Sequence, residues 1–293
     1  MGRTIRDDAN IIGVLAAAAT STFDRTRETP KGTYRWGVRE FVEYERGSSE
    51  AATVAGITLA RSVITQRGQT VTDSRIEEAS SELSPPSAET IHILFYMARH
   101  LAVVEYNSSL MRTELWRSSL HEILDNAARS LEFQSLLRLE PVPRGAEILT
   151  AFRSFDRLTR LRVKLRIPNP ELDRRTERLR RELEAGGIRE YTQDMKSPGG
   201  LSTSEENLPF ATAAMAQAGY KDGEVILNGY RNRKFETVRT GRKAARLRLE
   251  GLKDFVRGMA ANAKTKETRS AVASILEEVD RLVELPAPPE DHR

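Results

Sequence analysis

The segment at residues 160–167, RLRVKLRI, alternates strictly between basic and apolar side chains. Successive side chains of a β-strand point to opposite faces of its sheet. The pattern therefore predicts a strand with one face buried under helices and the other face carrying a row of cations. The apolar members are Leu161, Val163, Leu165 and Ile167, and the cations are Arg160, Arg162, Lys164 and Arg166.

Composition limits what surrounds this strand. The 293 residues are enough for one large domain or two of ordinary size, and 39% hydrophobic content is sufficient for a core. The net charge of +4 is modest, so the distribution of charge matters more than its sum. The absence of cysteine excludes disulfides, thiolate metal sites and cysteine nucleophiles.

Two features place the chain in the cytoplasm. No apolar run approaches the roughly 18 residues that a membrane span needs. A short apolar stretch follows Asp7 and Asp8, where a signal peptide would instead carry positive charge. We expect this N-terminal stretch to be a strand or a buried segment of a cytoplasmic protein.

Patterning along the chain predicts an alternation of strands and helices. Before residue 90, two strands form a hairpin at residues 33–45 and 52–62, and a polar surface loop over residues 62–89 ends at Pro85 and Pro86. The later strands are expected at 91–97, 101–107, 132–142, 160–167, 188–196, 224–230, 235–240 and 244–251. The helices are expected at 113–131, 145–156, 171–187 and 210–220, and within 252–285.

This order predicts an α+β fold. A mixed, largely antiparallel sheet has helices packed on one face, and the chain ends in a helical extension. We divide it into a β-rich N-terminal portion at 1–90, a basic α+β portion at 91–251, C-terminal helices at 252–285 and a disordered tail at 286–293.

The row of cations has two interpretations. In the simpler one it is a solvated sheet face whose charges pair with acids on a neighbouring strand, with Glu190 and Asp194 as partners. In the other it binds the phosphates of a nucleic acid, and Arg246 and Arg248 of the strand at 244–251 extend the surface. The cations predicted to flank it are Arg231, Arg233, Lys234, Arg242 and Lys243.

Catalytic and metal-binding signatures are missing from the sequence. The four histidines, His92, His100, His121 and His292, do not have metal-ligand spacing. Phosphate-binding glycine loops and the nucleophile elbow of hydrolases are also absent. We therefore assign no catalytic residue, metal or cofactor, and the sequence favours a non-catalytic protein over an enzyme.

Several segments together resemble a bacterial family of unknown function, DUF4747, over about residues 30–240. They are TYRWGVREFVEYE with GITLARS, IHILFYMARHLAVVEYN, TRLRVKLRIPNP before a charged helix, and SPGGL before a helix that ends in GY. The resemblance implies a shared fold and supplies no catalytic residues. It also implies an accessory role in antiviral defence, because such proteins are found near mobile elements and antiviral loci.

These observations lead to one function and two alternatives. We expect a non-catalytic accessory protein that binds RNA or DNA through the eleven cations named above, without membrane attachment. The first alternative is an interaction subunit of a defence or toxin–antitoxin-like complex, in which the cations meet an acidic, co-encoded protein. The weaker alternative is a nuclease whose site is unrecognised.

Overall fold

The structure, a computed structural model, describes residues 8–44, 54–97, 100–133, 137–143, 146–166, 181–183, 185–188, 190–246 and 265–283. The chain divides into two compact units, one of residues 1–139 with 249–274 and one of residues 140–248 with 275–293. Each unit contains an antiparallel sheet with helices packed against it, which confirms the predicted α+β class. The boundary expected at residue 90 falls inside a strand.

The first unit has a five-stranded sheet in the order β1-β2-β3-β4-β5, with every neighbouring pair antiparallel. Its strands are β1 (Arg25–Thr29), β2 (Gly32–Tyr44), β3 (Val54–Val71), β4 (Ile76–Tyr96) and β5 (Leu101–Val104). Its helices are α1 (Asp8–Ala18) and α2 (Leu115–Ser130), with short 3-10 turns at Ser21–Phe23 and Leu110–Arg112.

Helix α1 replaces the strand that was one expectation for the N-terminal stretch. Its buried residues are Ile11, Val14, Leu15 and Ala18. They recur at the i, i+3, i+4 and i+7 spacing of one helix face, and the alanines between them favour a helix. They join α2 and the inner sides of β2, β3 and β4 in one core.

Strands β3 and β4 continue through residues 62–89, where a loop was predicted. The two strands pair as far as Val71 and Ile76, and both of those side chains are exposed. Pro85 and Pro86 lie in an irregularity between the Val63 and Thr65 pairs, where a missing N–H breaks no ladder hydrogen bond. The prediction was wrong because this ribbon is polar on both faces and lacks the alternation of a half-buried strand.

The second unit has a four-stranded antiparallel sheet in the order β7-β6-β8-β9. The sequence of one helix and two strands occurs twice, and the two copies meet through β6 and β8. The elements are α3 (Glu147–Arg153), β6 (Arg157–Arg166), β7 (Glu190–Lys196), α4 (Leu208–Gln217), β8 (Lys221–Arg231) and β9 (Lys234–Thr240). A further helix, α5 (Lys266–Val283), has residues assigned to both units, lies in the predicted C-terminal extension and buries Val272, Ile275, Leu276 and Val279.

The apolar side of β6 forms the centre of the second core. Leu161, Val163 and Leu165 are at most 1% exposed, as their alternation with cations predicts. They pack with side chains from both helices, including Phe152 of α3 and Phe210 of α4. Ile167 and most of the helix predicted at 171–187 lie outside the described residues.

Two other predicted strands differ in the structure. The described part of residues 132–142 forms no extended strand, because side chains of α2 bind this segment. Asp125 pairs with Arg138, and His121 Nε2 accepts the backbone N–H of Leu139. Residues 244–246 are likewise not in a strand, and 247–251 lie outside the described residues.

The close approach of the β6 and β8 backbones can be tested at Gly229 of β8. A Cβ at this position would lie 2.4 Å from the carbonyl oxygen of Arg157 and 2.8 Å from the Phe155 ring. We expect Gly229→Ala to lower the free energy of unfolding by about 1–3 kcal/mol. The added methyl group would clash with the Arg157 backbone, which cannot move aside as a flexible side chain can. Urea denaturation measures this change.

Gly68→Ala is the matched control, since a Cβ there meets no atom within 4 Å. Equal stability of the two variants would show that β6 and β8 are less closely packed than described.

Candidate nucleic-acid interface

A bulge in β6 determines which cations share a face. Leu158 pairs with Gly229 and Arg160 pairs with Asn228, so Thr159 is an extra residue. Its hydroxyl Oγ1 donates to the Asn228 carbonyl at 3.1 Å. The extra residue lets Leu158 and Leu161 both face the core. We call the opposite side of this sheet, away from α3 and α4, the outer face.

Two of the predicted cations are neutralised on the outer face. The Nε and Nη2 atoms of Arg160 donate to the two carboxylate oxygens of Asp194, each at 2.7 Å. Lys164 Nζ lies 2.9 Å from Asp222 Oδ2 and 3.0 Å from Glu190 Oε2. The simpler interpretation therefore holds for Arg160 and Lys164, with the two acids that it named and a third from β8.

Arg162 is different. Its backbone partner on β7 is Asp194, but that carboxylate turns diagonally to Arg160. The Arg162 side chain is exposed and forms no ion pair with any residue that the structure describes. The backbone of Arg166 pairs with Glu190, and the Arg166 side chain lies outside the description.

The ion pairs fix the charge of these groups. The pKa of Asp194 is lowered to about 2, chiefly by its hydrogen bonds from Arg160, with Lys196 adding a weaker attraction. The pKa of Lys164 is raised by its hydrogen bonds to Asp222 and then to Glu190. Near neutral pH Asp194 and Lys164 are therefore charged, and the ion pairs screen Arg160 and Lys164 but not Arg162.

The turn between β8 and β9 carries a second group of cations. Asn232 and Arg233 have φ angles of 47° and 66°, which suit a two-residue hairpin turn. The Asn232 N–H donates to Asp156 Oδ2 at 2.7 Å and holds the turn in place. Arg233 and Lys234 are exposed at its tip and, among the described residues, have no carboxylate partner.

Arg231, at the start of the same turn, is held in place rather than free. Its guanidinium lies 4.4 Å from the centroid of the Phe155 ring. It also donates to Ser154 Oγ and lies 3.5 Å from a carboxylate oxygen of Glu236. Of the three predicted turn cations, two are therefore available to a ligand.

A row of one cation and two aromatic rings, none of which was among the predicted binding residues, crosses the same end of the sheet. Arg157 of β6, Tyr230 of β8 and Phe235 of β9 are neighbours in register. The Arg157 guanidinium lies 4.3 Å from the Tyr230 ring centroid, and the two aromatic rings meet edge to face at 5.4 Å. Phe235 nevertheless remains 57% exposed. The sequence contains a signal for this exposure. Val238 faces the core and lies three residues after Phe235, and residues an odd number apart in a strand point to opposite faces, so Phe235 faces out.

The remaining predicted residues follow β9. Arg242, Lys243 and Arg246 are exposed, and Arg248 lies outside the described residues. Both edges of β6 are already occupied, by β7 and β8. The described part of the predicted strand, residues 244–246, therefore does not extend the row of cations beside β6.

Metal and membrane features are equally limited in the described part of the chain. It contains no group of three or more histidine, aspartate or glutamate side chains arranged to hold a metal ion. None of its helices combines the length and apolar character that crossing a bilayer requires.

The Asp194 pKa gives a direct test of this geometry. We expect Arg160→Gln to raise that pKa from about 2 toward its ordinary value of 3.8, because the hydrogen bonds from Arg160 are the largest cause of the shift. The pair stabilises the fold above the ordinary carboxyl pKa, and this contribution is lost as the pH falls toward 2. An NMR titration of the carboxyl carbon measures the shift.

Arg239→Gln, which removes a partner from Glu224 instead, is the matched control. An Asp194 pKa that stays near 2 in Arg160→Gln would contradict the diagonal pairing.

Comparison with known proteins agrees with the resemblance noted in the sequence. Residues 58–250 match a family described as a domain of unknown function, DUF4747, and this range is more than half of the 293 residues. No curated protein and no solved structure matches the chain. The match includes β6, the bulge, the aromatic row and the β8–β9 turn. The chain therefore belongs to the DUF4747 family.

Proposed function

We propose that the protein binds nucleic acid, without catalysis, through one end of the outer face. The proposal rests on four cations of this sheet, Arg157, Arg162, Arg233 and Lys234. All four are exposed, and none forms an ion pair with a described residue. An accessory role in antiviral defence and a cytoplasmic location belong to the same proposal and rest on the family resemblance and the composition.

Charge is distributed unevenly along β6. The acids Asp222 and Glu190 lie opposite Lys164 and Arg166 at one end of β6, and the Asp194 carboxylate turns from Arg162 to Arg160. The opposite end begins at Arg157 and lies beside the β8–β9 turn. A polyanion is therefore attracted to the Arg157 end and repelled by the carboxylates at the other.

Unpaired cations suit phosphate binding better than paired ones. A phosphate that contacts Arg157 or Lys234 displaces only water and loosely held counterions, and the release of counterions favours binding at low salt. A phosphate at Arg160 must instead compete with a bidentate carboxylate at 2.7 Å. The proposed footprint is consequently smaller than the eleven cations that the sequence suggested.

A second candidate function has support from the first unit. Val71 and Ile76 face each other at the tip of the β3–β4 ribbon, 79% and 63% exposed. This pair is smaller than the contiguous apolar patches that mark interaction sites, but it gives another protein an apolar point of contact on the ribbon. The protein-interaction subunit therefore stays as the alternative, and the ribbon tip is added to the cations as a contact for the partner.

Removing two unpaired cations tests the first proposal. We expect the double variant Arg157→Gln, Arg162→Gln to weaken binding and to reduce the slope of log K against log salt by about 1.4–1.8, since each lost phosphate contact contributes about 0.7–0.9. Filter binding with single-stranded RNA and duplex DNA, at several salt concentrations, gives both values.

The matched control is Arg35→Gln with Arg67→Gln, which removes the same charge from exposed positions of β2 and β3. If the two double variants lose the same amount of affinity, the loss reflects net charge alone, and the proposal of a defined interface is contradicted.

Removing a screening acid tests the same proposal in the opposite direction. We expect Asp194→Asn to tighten binding and to steepen the salt slope by about 0.7–0.9, because Arg160 is then free to contact one more phosphate. The same filter-binding series measures this gain.

Asp73→Asn is the control, since Asp73 is exposed in the β3–β4 turn and its loss changes the net charge equally. Unchanged affinity of Asp194→Asn for nucleic acid would show that the outer face is not the binding surface.

A further inference from the structure

We propose that the interface takes single-stranded nucleic acid and that one base stacks on Phe235. This inference rests on the proposed function and names the ligand class for the same site. The inference rests on the Phe235 side chain, which is 57% exposed and lies between cations that form no ion pair with a described residue. Exposed phenylalanine in contact with water is unfavourable, whereas a base provides a flat apolar partner.

The geometry of the two rings leaves a stacking surface available. Tyr230 and Phe235 meet at an interplanar angle of 72° with centroids 5.4 Å apart. Rings in this edge-to-face arrangement touch through one edge and one face, so Tyr230 covers at most one face of Phe235. The large exposed fraction of Phe235 then corresponds to ring surface that a base can cover.

Arg157 continues the same row toward β6. Its guanidinium lies 4.3 Å from the centroid of the Tyr230 ring, so Tyr230 holds the cation in place. Neighbouring strands are about 4.8 Å apart, and Phe235, Tyr230 and Arg157 lie on three successive strands. The row therefore offers a ring for a base and, across the sheet, a positioned cation for a phosphate.

This arrangement discriminates between single strands and duplexes. Bases within a duplex are already stacked on their neighbours, and exposing one requires unstacking and unpairing. Single-stranded bases can reach an aromatic ring without that cost. A duplex can use only the cations of the interface, whereas a single strand can use the cations and the ring.

Fluorescence anisotropy with matched probes tests the inference. The probes are a labelled RNA strand, the DNA strand of equivalent sequence, and the duplex of that DNA strand. We expect Phe235→Ala to bind both single strands about 5- to 150-fold more weakly, which corresponds to one lost base stack, and to bind the duplex as the unchanged protein does. Phe235→Tyr keeps a ring and should retain single-strand affinity.

Val71→Ala is the matched control, because it truncates an exposed apolar side chain of the other unit. A second readout uses strands whose bases are replaced by abasic sites. The unchanged protein should lose affinity for them, whereas Phe235→Ala should bind abasic and normal strands alike. This pattern identifies loss of stacking rather than loss of folding.

The outcomes separate the two proposals. If the unchanged protein binds none of the probes, the proposed function is wrong. If it binds them with a steep salt dependence but Phe235→Ala has no effect on single strands, nucleic-acid binding stands and the stacking inference is overturned. A preference for one of the two single strands identifies RNA or DNA as the ligand.

Discussion

The burial of one side of β6 determines the rest of the second unit. Leu161, Val163 and Leu165 are almost completely removed from water between the sheet and two helices. Each fully buried side chain of this kind stabilises the fold by about 1.5–3 kcal/mol, and a shift of one residue would exchange the two faces of the strand. The cations therefore lie outside because the apolar residues must lie inside.

Repulsion within the cation row is reduced unevenly. Carboxylates from β7 and β8 pair with Arg160 and Lys164 and leave Arg162 exposed. Exposed ion pairs contribute little to stability. In this sheet their consequence is to arrange charge, with acids at one end of β6 and available cations at the other. The bulge at Thr159 adds to this arrangement, because it lets the core side of β6 keep Leu158 while the aromatic row forms beside it.

The parts of the structure that could be predicted depend on strong local patterns. Strict alternation predicted β6, and the same parity identified Glu190 and Asp194 as partners on β7. Helical periodicity predicted α2 and α3, and apolar runs around short turns predicted the β4–β5 and β8–β9 hairpins. In each case one face is buried, so the sequence carries the period of the element.

What could not be predicted lacks such a pattern or depends on tertiary pairing. The β3–β4 ribbon is polar on both sides, and α1 has an apolar run too short to distinguish a helix from a strand. The Thr159 bulge is a property of how β6 pairs with β8, so the sequence alone did not place Arg157 beside Tyr230. The exposure of Phe235 likewise follows from the sheet, since an isolated hairpin pattern suggests only that the two aromatic rings pack.

The most direct test of the account is to map where nucleic acid touches the protein. NMR of the labelled chain, titrated with a short single strand, follows backbone amides and arginine Nε–H signals together. The account predicts that the largest changes occur at Arg157, Arg162 and the β8–β9 turn with Phe235, and smaller ones at the ion-paired end of β6. Changes concentrated in the five-stranded sheet, or spread evenly over all exposed arginines, would contradict it.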